Sequence, residues 1–131
     1  MKTKAGCGFD LVEVHRLERA LSRHPALEQR LFTPTEISYC RTRGRPILHF
    51  AGRFAAKEAV GKLLGSGVLS WQEIEVGAGP RPGVALSGRT AALAEARGLK
   101  GLQVSLSHVD SLAGACVVAV ARSWEGGDMG Y

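Results

Sequence analysis

The spacing of apolar positions changes along this chain, and the elements follow from it. Lys4 to Val12 contains a short strand, Ala5-Gly6-Cys7-Gly8-Phe9, that delivers Asp10 to its end. The glycines beside Cys7 weaken a strand but permit close approach of another backbone or a ligand. From about Glu13 the period becomes helical: Val14, Leu17 and Leu21 form an apolar stripe, and Arg16, Arg19 and Arg23 share the opposite side. His24-Pro25 ends that helix. Thr33-Pro34-Thr35-Glu36 starts another, with Thr33 as cap, Pro34 in the first turn and Glu36 reaching back. It runs to about Arg43, where Gly44-Arg45-Pro46 breaks it. A long helix follows from about Ile47 to Leu64, closed by Gly65-Ser66-Gly67.

Beyond Gly67 the period turns to two. Glu73 to Val76 and Val84 to Leu86 read as strands around a Pro/Gly loop from Gly77 to Gly83. Gly88 to Arg97 is a helix closed by Gly98. Leu102 to Ser107 alternates cleanly, and Ala113 to Ala121 is a nearly continuous apolar strand, expected at the centre of its sheet. Residues 123–131 are polar and Gly-rich, and are expected to fray. The layout predicts an α+β fold: an antiparallel sheet carrying helices on one side, in one domain over 1–122, without an internal repeat or linker.

A chain of 131 residues has room for only a modest core, so association of copies would add stability. Lys and Arg exceed Asp and Glu by 17 to 12, which favours anionic partners without choosing among them. Clustered aromatics and glycines of an RNA-binding motif are missing, which disfavours nucleic acid. Cys7, Cys40 and Cys116 are odd in number and lack metal-ligand spacing. Free thiols in apolar strands fit a reducing cytosol rather than a disulfide framework or zinc site. Neither a signal peptide nor a membrane span is read, so the expected location is cytoplasmic.

The candidate chemistry sits on the long helix. At about 3.6 residues per turn, Phe54, Glu58 and Lys62 share a face, with Lys57 just beside them. Such a face could bury Phe54, hold a metal with Glu58 and meet a phosphate with Lys62. Taken alone, Glu58 and Lys62 could equally be a surface pair contributing roughly 0.2–0.5 kcal/mol.

The surrounding segments decide between these. Gly6, Gly8, Asp10 and Glu13 match a Gly-x-Gly-x-Asp-x-x-Glu pattern; Phe54, Lys57, Glu58, Ala59 and Lys62 match Phe-x-x-Lys-Glu-Ala-x-x-Lys. Gly65-Ser66-Gly67 and Ser105-Leu106-Ser107-His108 follow in order. In that order and spacing, from Ala5 to Ala121, the chain resembles the holo-acyl-carrier-protein synthase family of phosphopantetheinyl transferases. The resemblance implies transfer of the phosphopantetheine arm of coenzyme A to a serine of a carrier protein, releasing adenosine 3′,5′-bisphosphate. It further implies a homotrimer with sites at subunit interfaces, each chain being like one half of the larger two-lobed transferases.

Attack on a pyrophosphate requires charge neutralisation, a deprotonated hydroxyl and a stabilised leaving phosphate. Mg²⁺ prefers oxygen and takes only one or two carboxylates beside waters and phosphate oxygens. The resemblance assigns Asp10 and Glu58 to it. Larger relatives place a further acidic ligand where this chain has Val12, which leaves the base to a metal-bound water or to Glu58 itself. Lys62, one turn beyond Glu58, could hold the α-phosphate and assist the leaving group; Arg53 and His108 are candidates for other coenzyme A phosphates, the 3′-phosphate above all, with His108 resting mainly on the resemblance. Lys57 is either a phosphate contact or a support. Gly65 and Gly67 offer backbone N–H groups beside the pantetheine arm, although glycines also end helices. Arg16, then Arg23 and Arg19, would dock the acidic helix of the carrier, whether a fatty-acid or a polyketide carrier.

The family's Gly-Lys-Pro beside the adenine is Pro80-Arg81-Pro82 here, which keeps the cation and alters the shape. His49 acquires no role from the sequence. The rival readings are a non-catalytic carrier- or nucleotide-binding module, disfavoured by the presence of Asp10, Glu58 and Lys62, and a basic nucleic-acid-binding domain.

Overall fold

The computed structural model describes residues 2–79 and 81–123. The expected fraying of the tail lies outside them, except for Ser123, which ends a strand. In chain order the elements are β1 (Lys2–Glu13), α1 (Val14–Arg23), α2 (Leu27–Leu31), α3 (Pro34–Arg41), α4 (Pro46–Leu64), a 3₁₀ turn (Trp71–Glu73), β2 (Ile74–Val76), β3 (Val84–Leu86), α5 (Gly88–Ala96), β4 (Gln103–His108) and β5 (Leu112–Ser123).

Strands β1, β5 and β4 form one antiparallel sheet in that order, with β5 central as its apolar run predicts. Strands β2 and β3 form a separate antiparallel pair, so the single sheet expected from the sequence is in fact two. Strand β1 is also longer than expected. It passes through Asp10 to Glu13 because β5 pairs with it along its whole length, Asp10 opposite Ala115 and Glu13 opposite Leu112. Helix α2 is not signalled by any periodicity. Helix α3 closes two residues before Arg43, and Glu73 belongs to the 3₁₀ turn rather than to β2.

The core lies between the larger sheet and α4. Ala113, Ala115, Val117 and Ala119 of β5 turn inward with Val12 and Val104, against Ala51, Ala55, Ala59 and Val60 of α4. Small residues bring the helix in close. At Gly8 a Cβ would sit 2.0 Å from the Ala59 carbonyl oxygen, so only glycine permits this spacing. The close approach anticipated there is to another backbone. The opposite face of the sheet leaves Phe9, Leu11, Leu112 and Val118 exposed. The helices therefore sit on one side of the sheet.

The capping box at α3 forms as predicted, with Thr33 N–H donating to Glu36 Oε1 at 2.8 Å and Glu36 N–H to Thr33 Oγ1 at 3.2 Å. Glu36 does more than cap. Its Oε2 accepts from Val76 N–H at 2.7 Å, and its Oε1 pairs with Lys57 Nζ at 2.6 Å in the interior. One carboxylate thus ties α3, α4 and β2 together.

Candidate active site

Gly8 sets the distance between β1 and α4, and Asp10 follows it on the same inward side of the strand. There the Asp10 carboxylate meets Lys62, whose Nζ donates to Asp10 Oδ1 at 2.9 Å and to the Phe9 carbonyl at 3.0 Å. Glu58 is one turn back on α4. Burial pushes its carboxyl above the ordinary carboxylate value, the Asp10 charge adds to the rise, and the Lys62 ammonium opposes it. The structure therefore brings Asp10, Glu58 and Lys62 together from segments 52 residues apart.

Among the described residues no third Asp, Glu, His or Cys completes a cluster with these two carboxylates. Two hard oxygen donors, with no imidazole or thiolate beside them, fit Mg²⁺ and leave its other positions to water and phosphate oxygens. Val12, two positions after Asp10, is buried and apolar.

Beside this cluster lies a cavity of about 450 Å³ between β1, α1, α2 and α4, with Asp10, Phe54, Leu17, Leu31 and Trp71 in its wall and Arg16 at its side. Phe54 stacks on Trp71, ring centres 5.2 Å apart, which holds its ring in the wall. Of the three arginines expected to dock a partner, Arg16 lines this cavity and Arg19 and Arg23 are exposed farther along α1.

Lys57 points the other way. Its Nζ donates to the Leu31 carbonyl at 2.8 Å and the Trp71 carbonyl at 3.0 Å and pairs with Glu36, so all three of its protons are used inside the protein. Of the two roles open to it from the sequence, the geometry supports that of a support. At the far end of α4, Gly65 adopts φ 78°, the left-handed conformation of a helix stop. Its N–H donates to the Gly61 and Lys62 carbonyls, and that of Gly67 to Gly61. What these glycines offer a ligand is therefore bare Cα surface rather than free donors.

Arg53 and His108 form a second cluster. They share a cavity of about 340 Å³ with Tyr39, His49, Gly79 and Ser107. Arg53 is five positions before Glu58, about 140° around the helix axis. The two cavities have no lining residue in common. Within one chain the two halves of the expected coenzyme A site face different directions.

A family model described as the 4′-phosphopantetheinyl transferase superfamily matches residues 6–117. The chain belongs to that superfamily. A relative from Moorella thermoacetica named holo-[acyl-carrier-protein] synthase is 48% identical over 120 residues, covering 88% of this chain and 92% of its own. One of the same name from Desulforudis audaxviator is 45% identical over 123 residues, covering 90% and 94%. The crystal structure of Helicobacter pylori holo-[acyl-carrier-protein] synthase in complex with coenzyme A matches with a TM-score of 0.74 at 30% identity, covering 86% of this chain and 98% of that one.

Within this phosphopantetheinyl transferase fold, two residues of the second cluster escaped the sequence reading. His49 precedes Arg53 by four positions, so helical spacing puts both on one face, but a lone histidine gave no reason to look. Tyr39 comes from α3, and nothing in the spacing connects it to α4. Arg81, the cation retained in the altered loop, is exposed.

Proposed function

We propose that this phosphopantetheinyl transferase moves the 4′-phosphopantetheine group of coenzyme A onto a serine of an apo-acyl carrier protein, as a holo-[acyl-carrier-protein] synthase. The observation that carries the reading is the meeting of Asp10, Glu58 and Lys62 beside a cavity flanked by Arg16. In the reaction the serine oxygen bonds to the phosphorus bearing pantetheine, and the bond from that phosphorus to the bridging oxygen breaks. Adenosine 3′,5′-bisphosphate leaves with the bridging oxygen.

Asp10 and Glu58 are the residues to hold Mg²⁺, which when bound would neutralise the pyrophosphate. Lys62, on a stem anchored one turn from Glu58, can shift from Asp10 to the leaving phosphate and offset its growing charge. Either Glu58 or a water held by the Mg²⁺ would accept the serine proton. Arg16, backed by Arg23 and Arg19, would attract the acidic helix of the carrier.

The opposed directions of the two clusters support a homotrimer in which Arg53 and His108 of one chain complete the site begun by Asp10, Glu58 and Lys62 of the next. The exposed apolar face of the sheet, Phe9, Leu11 and Val118, is a surface such an assembly would cover. Among the described residues no helix is long and apolar enough to cross a membrane. A cytoplasmic location fits this and the free cysteines.

Intact-mass spectrometry of an apo-acyl carrier protein, incubated with this protein, coenzyme A and Mg²⁺, tests the reading. A gain of one phosphopantetheine, abolished by EDTA, is expected. No gain across several carriers, from folded protein that binds coenzyme A, would favour a non-catalytic binding module instead.

A further inference from the structure

Arg53 is a buried cation, 2% exposed, whose polar partners among the described residues are two backbone carbonyls: Gly77 at 2.7 Å and His49 at 3.4 Å. Its Nε is buried with no partner. A guanidinium has five N–H donors, so most of its capacity is unspent, and a buried charge without a counter-ion is costly. The cavity that Arg53 lines has no carboxylate in its wall, and there His49 and His108 meet edge to face at 6.0 Å.

Besides those carbonyls, the guanidinium lies against Tyr39. Its ring lies 4.5 Å from the Arg53 guanidinium carbon and 5.2 Å from that of Arg43. Its hydroxyl accepts from Gly79 N–H at 3.3 Å and from Arg43 at 3.5 Å, which pins the ring between α3 and the loop after β2. Its other neighbour is the His49 ring, edge-on at 6.0 Å. Tyr39 therefore forms a wall that a guanidinium can lie against without spending a donor.

We propose that Tyr39 is the positioning and specificity residue of a phosphomonoester subsite, holding Arg53 so that its unspent donors serve the cavity shared with His49, Ser107 and His108. The inference rests on the transferase reading: the site for the donor's non-reacting phosphate is the one that the family resemblance gives to Arg53 and His108, and the role of Tyr39 is what is added. A cavity with a buried, largely unspent guanidinium and no carboxylate in its wall suits a dianionic monoester better than a singly charged diester. The pyrophosphate belongs with Lys62. The remaining phosphate of a coenzyme A-like donor is a monoester.

The test is calorimetric binding of adenosine 3′,5′-bisphosphate and of AMP to the assembled protein, in wild type and in Tyr39→Phe, Tyr39→Leu, Arg53→Lys and the Leu/Lys double variant. Wild type should prefer the bisphosphate. Tyr39→Leu should lower that preference by about 5- to 30-fold, the range a desolvated cation–π contact spans. Tyr39→Phe, which keeps the ring, should retain most of it. In the Arg53→Lys background, which lacks a planar group to lie on the ring, Tyr39→Leu should have little further effect. An unchanged preference in folded Tyr39→Leu, or an undiminished effect in the Arg53→Lys background, would overturn the proposal. Should Tyr39→Leu fail to fold, Tyr39→Met removes the ring with a bulkier side chain and carries the same prediction. A wild type with no preference would overturn the subsite itself, whereas failure of phosphopantetheine transfer in the mass assay would count against the transferase reading.

Discussion

Lys62 and Asp10 hold each other across the β1–α4 seam, ammonium to carboxylate at 2.9 Å, 52 residues apart in the chain. The lysine side chain is 56% exposed, so the pair adds little to stability. Lys62→Met should change the melting temperature slightly and lower turnover by about 10²- to 10³-fold, the usual loss when one preorganised stabiliser of developing charge is removed. Single-turnover kinetics with saturating carrier checks this. A variant slowed less than tenfold would take Lys62 out of the reaction.

The Glu36–Lys57 pair has the opposite character. Both side chains are fully buried, and Lys57 also satisfies two carbonyls. Lys57→Met strands the Glu36 charge and should cost about 3–5 kcal/mol in chemical denaturation. The fraction that remains folded should bind coenzyme A normally. Weakened binding with unchanged stability would mean that Lys57 touches phosphate after all.

Arg16 flanks the cavity beside Asp10 with its side chain 80% exposed. Arg16→Glu should raise KM for the carrier and leave kcat near wild type, because docking and not chemistry is disturbed. The wild-type KM should itself rise with salt, and the variant's should respond less. Equal salt dependence in both proteins would place carrier docking elsewhere.

His49 supplies a pH-dependent contribution. Burial lowers its pKa below the ordinary 6.5, and the charges of Arg53, His108 and Arg43 lower it further; Tyr39 faces it as well. The folded state therefore resists protonation that the unfolded chain accepts. Stability from this group is present above about pH 6.5 and is lost as pH falls through the folded value. Denaturation curves in non-phosphate buffer should show wild type losing stability more steeply than His49→Gln on the acid side. Parallel curves would show that His49 titrates normally.

Much of the fold and of the candidate cluster was legible in the sequence because both rest on local rules. The spacing of Phe54, Glu58 and Lys62 requires only helical geometry, and the capping box at Thr33 and the glycine stop at Gly65 require only local backbone preference. The alternation in β4 and the apolar run of β5 were read with the right order of importance, because a central strand is buried on its inward face whatever lies beyond it.

The tertiary structure decided what depends on contacts between distant segments. Asp10 lies within a strand rather than at its end because β5 pairs with β1 through that point. Lys57 and Lys62 are equivalent in type and share one helix; only the folding of α2, α3 and the 3₁₀ turn over one side of α4 buries the first and leaves the second exposed beside Asp10. Tyr39 and His49 join Arg53 and His108 only when α3, α4, the loop after β2 and the end of β4 come together. The sequence by itself determined most of the elements, the grouping of the candidate residues on α4 and the family, since these are written in short-range spacing. Burial and the company each charge keeps were settled by packing, since neighbours brought together from far along the chain leave no period to read.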